Sequence, residues 1–265
     1  MPKIKVNDIA MYYEIHSKGD PIIFIPGFSS DHLIWNPTIE FFKDKYQVIL
    51  LDNRGSGQTD APKGPYSLEQ MTDDIAAFCQ QLSIKHAIFV GNSMGGFIAQ
   101  MLGRKYPELV RALIITNSTM SVACAFNIYL KAQLELLKAN APLASVIKAS
   151  LGWVFSYRFL SQPGVMELLI KMTLENPYPF TMTGYEGQLA ALEKFNSTSW
   201  AHEIKAPTFV IAGDEDLIFL KESVEALANL IPNSTFHSFK ECGHIPAIEF
   251  PEEFFSRVNN YIHAL

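Results

Sequence analysis

The stretch Phe89-Val90-Gly91-Asn92-Ser93-Met94-Gly95-Gly96-Phe97 decides the fold. It sets a G-x-S-x-G pattern between an apolar run at 86–90 (HAIFV) and a helical pattern that runs to Lys105-Tyr106 before Pro107. A sharp strand-to-helix turn at this point would hold Ser93 in strained backbone geometry, with its Oγ projecting above a sheet. The flanking glycines fit because a side chain there would clash with the adjacent strand and helix. The helix that follows would aim unpaired N–H groups and the positive end of its dipole at the same place. Ser93 therefore reads as a nucleophile, in preference to a capping serine in a glycine-rich turn.

Outward from this turn, strand and helix signals alternate, as in an α/β protein. Residues 10–16 are rich in strand formers, and residues 3–6 are placed to pair with them. The runs 21–25 (PIIFI) and 47–51 (QVILL) are apolar on both faces, as buried parallel strands are. The first stops at Pro26-Gly27 and the second at Asp52-Asn53-Arg54-Gly55-Ser56-Gly57. Residues 67–82 read as a helix: Ser67 and Gln70 have the spacing of a capping box, and Leu68, Met71, Ile75, Phe78 and Leu82 recur at helical intervals. A strand at 111–115 (RALII) follows the Pro107 break. Residues 119–200 break the rhythm, with helical stretches at 126–139 and 142–160 and prolines at 163, 177 and 179. The alternation resumes with strand 207–212 (PTFVIA), helix 221–230, strand 234–239 (STFHSF) and a last helix near 251–263. The expected architecture is a mostly parallel sheet flanked by helices. Its core comprises residues 1–118 and 201–265, and residues 119–200 form a helical cap insertion.

Composition narrows the partners. Of the 265 residues 48% are hydrophobic and 18% charged, enough apolar surface for a substantial core. Lys+Arg total 21 against 27 Asp+Glu, a net charge of −6. That balance argues against nucleic acid and against attraction to an anionic membrane. Cys79, Cys124 and Cys242 form no CxxC pair, so neither a disulfide framework nor a zinc ribbon is expected, and a reducing compartment fits. The amino-terminal segment MPKIKVNDIAMYYEIHSKGD has no apolar h-region, and no apolar run approaches the roughly 18–20 residues that span a bilayer. The expectation is a soluble, cytoplasmic protein without stable membrane association. Oligomeric state is not legible at this level.

A serine hydroxyl is a weak nucleophile near neutral pH. It needs a general base, usually histidine, and the base needs an acid to fix its tautomer. Of seven histidines, His16, His86 and His237 fall in strand patterns, while His202 and His263 read as surface residues. His32, near the Pro26-Gly27 loop, is a weak competitor. His244 lies in Cys242-Gly243-His244-Ile245-Pro246 just beyond the last strand, at the carboxyl edge of the sheet where sites assemble. The acid should follow strand 207–212, where Gly213-Asp214-Glu215-Asp216 offers three carboxylates. The Gly-x-x-Asp arrangement favours Asp216, with Asp214 the alternative.

The chain order Ser93…Asp216…His244, the strand–GNSMGG–helix elbow, and an insertion between the sixth and seventh core strands resemble the α/β-hydrolase superfamily over essentially the whole chain. Asp52-Asn53-Arg54-Gly55-Ser56-Gly57-Gln58-Thr59 is similar to that family's D-x-R-G-x-G-x-S/T loop. The resemblance implies an eight-stranded sheet, no metal or organic cofactor, and an oxyanion hole built from the backbone N–H groups of Phe28 and Met94. The family usually has His-Gly where this chain has Pro26-Gly27. The donor is the backbone of the next residue, so the hole is expected to persist.

The implied activity is serine hydrolysis of an ester or lactone through an acyl-enzyme, as in carboxylesterases and enol-lactonases. The pocket is expected between the sheet edge and the cap, with Trp35 and Trp153 binding substrate and Phe28, Met94, Phe155, Tyr157 and Phe159 as further candidates. Nineteen Phe and nine Met favour an apolar acyl or ring substrate. Serine at position 93 argues against haloalkane dehalogenases and epoxide hydrolases, which resemble this fold but use aspartate there. Gly-Asn-Ser-Met-Gly-Gly and Cys242-Gly243-His244 also look like the carbon–carbon bond hydrolases of aromatic-ring degradation. Those usually carry a Gly-rich oxyanion loop and a Trp after the His, where this chain has Pro26–Ser30 and Ile245. A ligand receptor on the same fold is a further alternative, because Pro26-Gly27-Phe28…Asp31…Trp35 is similar to bacterial regulators related to plant strigolactone receptors.

Overall fold

The computed structural model describes residues 2–265; Met1, the first residue of the expected core, lies outside them. In chain order β1 (Lys3–Val6), β2 (Ile9–His16) and β3 (Asp20–Ile25) lead to α1 (Pro37–Phe42), β4 (Tyr46–Leu51), α2 (Leu68–Gln81), β5 (Ala87–Asn92), α3 (Met94–Lys105) and β6 (Val110–Thr116). Five helices follow: α4 (Cys124–Lys138), α5 (Leu143–Val154), α6 (Tyr157–Leu160), α7 (Val165–Leu174) and α8 (Met182–Glu193). The chain returns through β7 (Thr208–Gly213), α9 (Lys221–Leu230), β8 (Ser234–Phe239), α10 (Pro246–Glu249) and α11 (Pro251–His263).

The strands build one eight-stranded sheet in the order β1-β2-β4-β3-β5-β6-β7-β8. β2 runs antiparallel to both of its neighbours, and the remaining contacts are parallel. Strand alternation divides the core. Ile23, Ile49, Phe89, Leu113 and Val210 pack on the side of α2, α3 and α9, whereas Ile22, Val48, Ile88, Ile114 and Ile211 pack on the side of α1 and α11. Both faces are covered, which is why these strands read as continuous apolar runs. The strand order turns back between β3 and β5, a switch point beyond which the loops diverge and leave a crevice.

Ser67 caps α2 as its spacing predicts, accepting from the Gln70 N–H at 3.1 Å. The expected helix over 142–160 is instead two. α5 ends at Val154, Phe155 is extended, and the Ser156 hydroxyl caps α6 by accepting from the Phe159 N–H at 3.2 Å. The break frees the backbone around Ser156 for bonds to the loop after β8, described below. No helix among the described residues is long and apolar enough to cross a membrane.

Candidate active site

Ser93 stands at the switch point, directly after β5. Its backbone has φ 56° and ψ −118°, a region that costs a non-glycine residue about 1–3 kcal/mol. The surroundings over-determine it. The Ser93 N–H donates to the Thr116 carbonyl at 3.0 Å, and the Ser93 carbonyl accepts from Gly96 and Phe97 at 2.8 and 3.3 Å. A Cβ on Gly91 would strike the Gly95 carbonyl, and one on Gly95 would strike the Ile25 carbonyl, so the elbow closes only with glycine at both positions.

His244 follows β8. Its Nδ1 lies 2.8 Å from Asp216 Oδ2. Asp216, in the turn after β7, is buried, whereas Asp214 and Glu215 are exposed. The Asp216 carboxylate is held by three further donors: Asn117 Nδ2 at 2.8 Å on Oδ2, and the N–H groups of Ile218 and Phe219 at 2.8 and 3.1 Å on Oδ1. Such saturation fixes the carboxylate plane, and through it the imidazole, leaving Nε2 directed away from Asp216. Ser93 and His244 line one cavity. The serine hydroxyl makes no hydrogen bond to the imidazole among the described residues; in sites of this kind such bonds often tighten only once substrate is seated.

Two backbone donors complete the arrangement. The N–H groups of Phe28, in the loop after β3, and of Met94, the first residue of α3, have no acceptor among the described residues. The Phe28 loop is braced from α8. Gln188, fully buried, accepts from the Ser29 N–H at 2.8 Å and donates to the Arg54 carbonyl and the Ser56 hydroxyl at 2.8 Å each. Gln188 thereby bridges the loops after β3 and β4.

The cavity over Ser93 has a volume of about 250 Å³. α4 lines it with Phe126, Tyr129, Leu130 and Gln133, and α5 with Leu143, Val146, Ile147 and Ser150. Both sets have the i, i+3, i+4, i+7 spacing of one helix face. Phe28 lines the cavity, but the two tryptophans do not. Trp35 closes a tight turn, is 1% exposed, and packs on Phe24 beneath the sheet at a ring distance of 5.2 Å. Trp153 lies behind the wall, its ring stacked on Tyr129 at 4.8 Å. The Met94 side chain is buried in the core, so only its backbone faces the site. Phe155 packs on Phe159, and Tyr157 is exposed. A face of α4 and α5 meets the cavity where the sequence reading had placed single aromatic residues.

A family profile described as the alpha/beta hydrolase fold matches residues 20–251. The chain belongs to the alpha/beta hydrolase family. It is 28% identical over 253 residues to 3-oxoadipate enol-lactonase 2 of Acinetobacter baylyi, covering 95% of this chain and 92% of that protein. Among solved structures it resembles the enol-lactonase from Burkholderia xenovorans, with a TM-score of 0.89 at 23% identity over 99% of this chain and 100% of the other. It also resembles a thermophilic esterase from Thermogutta terrifontis, with a TM-score of 0.87 at 24% identity over 100% and 99% of the two chains.

Within this alpha/beta hydrolase, His32 is occupied elsewhere. It is 1% exposed, its Nδ1 lies 2.9 Å from Asp52 Oδ1, and its Nε2 lies 3.5 Å from Glu14 Oε1. Burial pulls its pKa down, but the Asp52 hydrogen bond and the charges of Asp52 and Glu14 outweigh that and hold it above the ordinary histidine value. Cys242 is fully buried. Desolvation, reinforced by the charges of Glu249, Asp216 and Asp214, pushes its thiol pKa well up, so it is a packing residue. No group of three or more His, Cys, Asp or Glu among the described residues is arranged to hold a metal ion.

Three residues at the site escaped sequence reasoning: Asn117, Gln188 and Glu249. Glu249 accepts from the Gly243 N–H at 2.9 Å, from the Ser156 N–H at 3.1 Å, and from the Ser156 hydroxyl. Of the three, only Asn117 carried a signal, its position just beyond β6 at the carboxyl edge of the sheet. Gln188 and Glu249 sit in helices whose periodicity says nothing about a polar partner far along the chain.

Proposed function

We propose that this protein is a serine hydrolase that cleaves an ester or lactone bond of a small apolar substrate, with residues 119–200 capping a core of 1–118 and 201–265. The single observation that carries this reading is the convergence on one cavity of a positive-φ serine and a histidine whose Nδ1 is held by a saturated carboxylate. The enol-lactonase relative agrees with it. The oxoadipate in that relative's name is a diacid.

His244 Nε2 accepts the Ser93 proton as Ser93 Oγ attacks the carbonyl carbon. The electron pair displaced onto the carbonyl oxygen is held by the N–H groups of Phe28 and Met94. In such sites each donor is worth about 3 kcal/mol of transition-state stabilisation. Asp216 keeps the proton of the neutral imidazole on Nδ1 and stabilises the imidazolium. Collapse breaks the C–O bond, and the leaving oxygen takes the proton from His244. In a lactone the released hydroxyl stays tethered to the acyl group. Water then loses a proton to His244 and attacks the acyl carbon. The second collapse returns the proton to Ser93 and frees the acid.

The test is labelling with a fluorophosphonate followed by peptide mapping, beside turnover of an ester and lactone panel. One adduct on Ser93, and a loss of about 10⁴-fold or more in kcat for Ser93→Ala, are expected. Wild-type rates in Ser93→Ala would end the assignment. Single-turnover binding in place of sustained hydrolysis would favour a ligand receptor.

A further inference from the structure

The cavity wall above Ser93 is mostly apolar; the Ser150 and Thr173 hydroxyls on it donate to the Ile147 and Leu169 carbonyls, and Gln133 lies one helical turn beyond Tyr129 on α4. Gln133 Nε2 donates to the Tyr129 hydroxyl at 2.5 Å and to the Val146 carbonyl at 3.4 Å, and the Tyr185 hydroxyl is shared between the Leu130 carbonyl at 3.2 Å and Gln133 Oε1 at 3.4 Å. A glutamine amide has two donors and two acceptor sites, and a tyrosine hydroxyl has one donor and two. With the two Nε2 hydrogens on Tyr129 and Val146, what remains is the Tyr129 O–H as a donor and one acceptor site on Gln133 Oε1. Burial pushes the Tyr129 phenol up to about 12, so it keeps its proton at any working pH.

Among the described residues no Asp, Glu, Lys or Arg lines this cavity. The lysines of α4 lie on its outer side, where Lys131 and Lys138 pair with Glu193 and Glu186 at 2.7 and 2.6 Å. A carboxylate brought into the cavity would lose its hydration without gaining a cation, whereas a neutral carbonyl or hydroxyl needs only one neutral partner.

We infer that the substrate is an uncharged acyl compound whose end remote from the reacting carbonyl carries a neutral hydrogen-bonding group, bound by Gln133 and Tyr129. This rests on the hydrolase reading above and sets its specificity: diacid-derived substrates are excluded, and oxo- or hydroxy-acyl substrates are preferred.

The full chain is assayed with the p-nitrophenyl esters of hexanoic acid, of 5-oxohexanoic acid, and of adipic acid with its second carboxyl free, subtracting the Ser93→Ala background. The adipate ester is expected to fall about 100-fold or more below hexanoate in kcat/KM, with 5-oxohexanoate above hexanoate. Gln133→Leu and Tyr129→Phe, checked by thermal melts, should lower the oxohexanoate-to-hexanoate ratio about tenfold. Gln133→Arg should raise the adipate-to-hexanoate ratio about tenfold or more. An adipate ester turned over within threefold of hexanoate overturns the inference, as does an oxohexanoate ratio unmoved in folded Tyr129→Phe. Those results leave the hydrolase reading standing. Absence of Ser93-dependent turnover of all three esters, with no fluorophosphonate adduct, overturns both.

Discussion

The backbone N–H of His244 donates to the carbonyl of Val154 at 2.7 Å. The loop bearing the proposed base is thus bonded directly to the last residue of α5, in the helices over the cavity. Glu249 reinforces the joint, accepting from Gly243 on one side and Ser156 on the other. The end of α5 and the imidazole loop are therefore tied together by hydrogen bonds.

Glu249→Leu tests that joint. It keeps much of the bulk but removes Oε1, the one oxygen that accepts from both the Gly243 and the Ser156 N–H, and leaves both donors unpaired. That loss should cost about 1–3 kcal/mol of stability, read as a lowered melting temperature. Turnover should fall chiefly in kcat with KM little changed, because the base is displaced and the cavity wall is kept. A variant with wild-type kcat and wild-type melting would show that the joint has no such role.

Asn117 donates to the Asp216 oxygen that also meets His244. Asn117→Ala removes one of four bonds from that carboxylate while leaving the cavity walls in place. A hydrogen bond to a charged group is worth about 1.5–3 kcal/mol, so steady-state kinetics should show a kcat lower by about tenfold or more. An unchanged kcat would mean that the two remaining N–H donors hold Asp216 unaided.

Ser93 has φ 56°, which glycine tolerates and alanine does not. Ser93→Gly and Ser93→Ala should both be inactive, yet the glycine variant should melt at the higher temperature, by about 1 kcal/mol of stability. Scanning calorimetry of the two proteins decides it. Equal melting, or the reverse order, would mean that the turn stores no strain.

His32 gives a pH dependence with a defined sign. Its folded pKa lies above its unfolded value of about 6.5, because desolvation, the largest single effect, is outweighed by the Asp52 hydrogen bond together with the charges of Asp52, Glu14 and Asp31. The stability contributed by the cation is complete below the unfolded pKa and is lost as pH rises through the folded one. Melting temperature should therefore drop as pH is raised from 6 to 8.5, and His32→Gln should flatten the drop. A drop of the same size in His32→Gln would assign the effect to other groups.

Much of this was legible in the chain. Alternating apolar runs and helical intervals are local signals, and they placed the eight strands, α4 and the Ser93 turn within a residue or two, whereas 142–160 divided into α5 and α6, and α7 and α8 had no individual reading. The triad candidates were legible for a related reason: in a mostly parallel sheet every loop after a strand's carboxyl end meets the same edge, so Ser93, Asp216 and His244 converge by topology alone. The choice of Asp216 over Asp214 became a matter of geometry only when burial of one and exposure of the other could be compared. Trp35 and Trp153 went astray because ring size indicates burial without indicating against what. Trp35 turned under the sheet, and Trp153 stacked behind Tyr129. Gln188, Glu249 and the Gln133–Tyr129 cluster were decided by tertiary structure, since a polar side chain's partner depends on which distant backbone is packed beside it. Periodicity says that a helix has an inner face, and only packing says what that face touches.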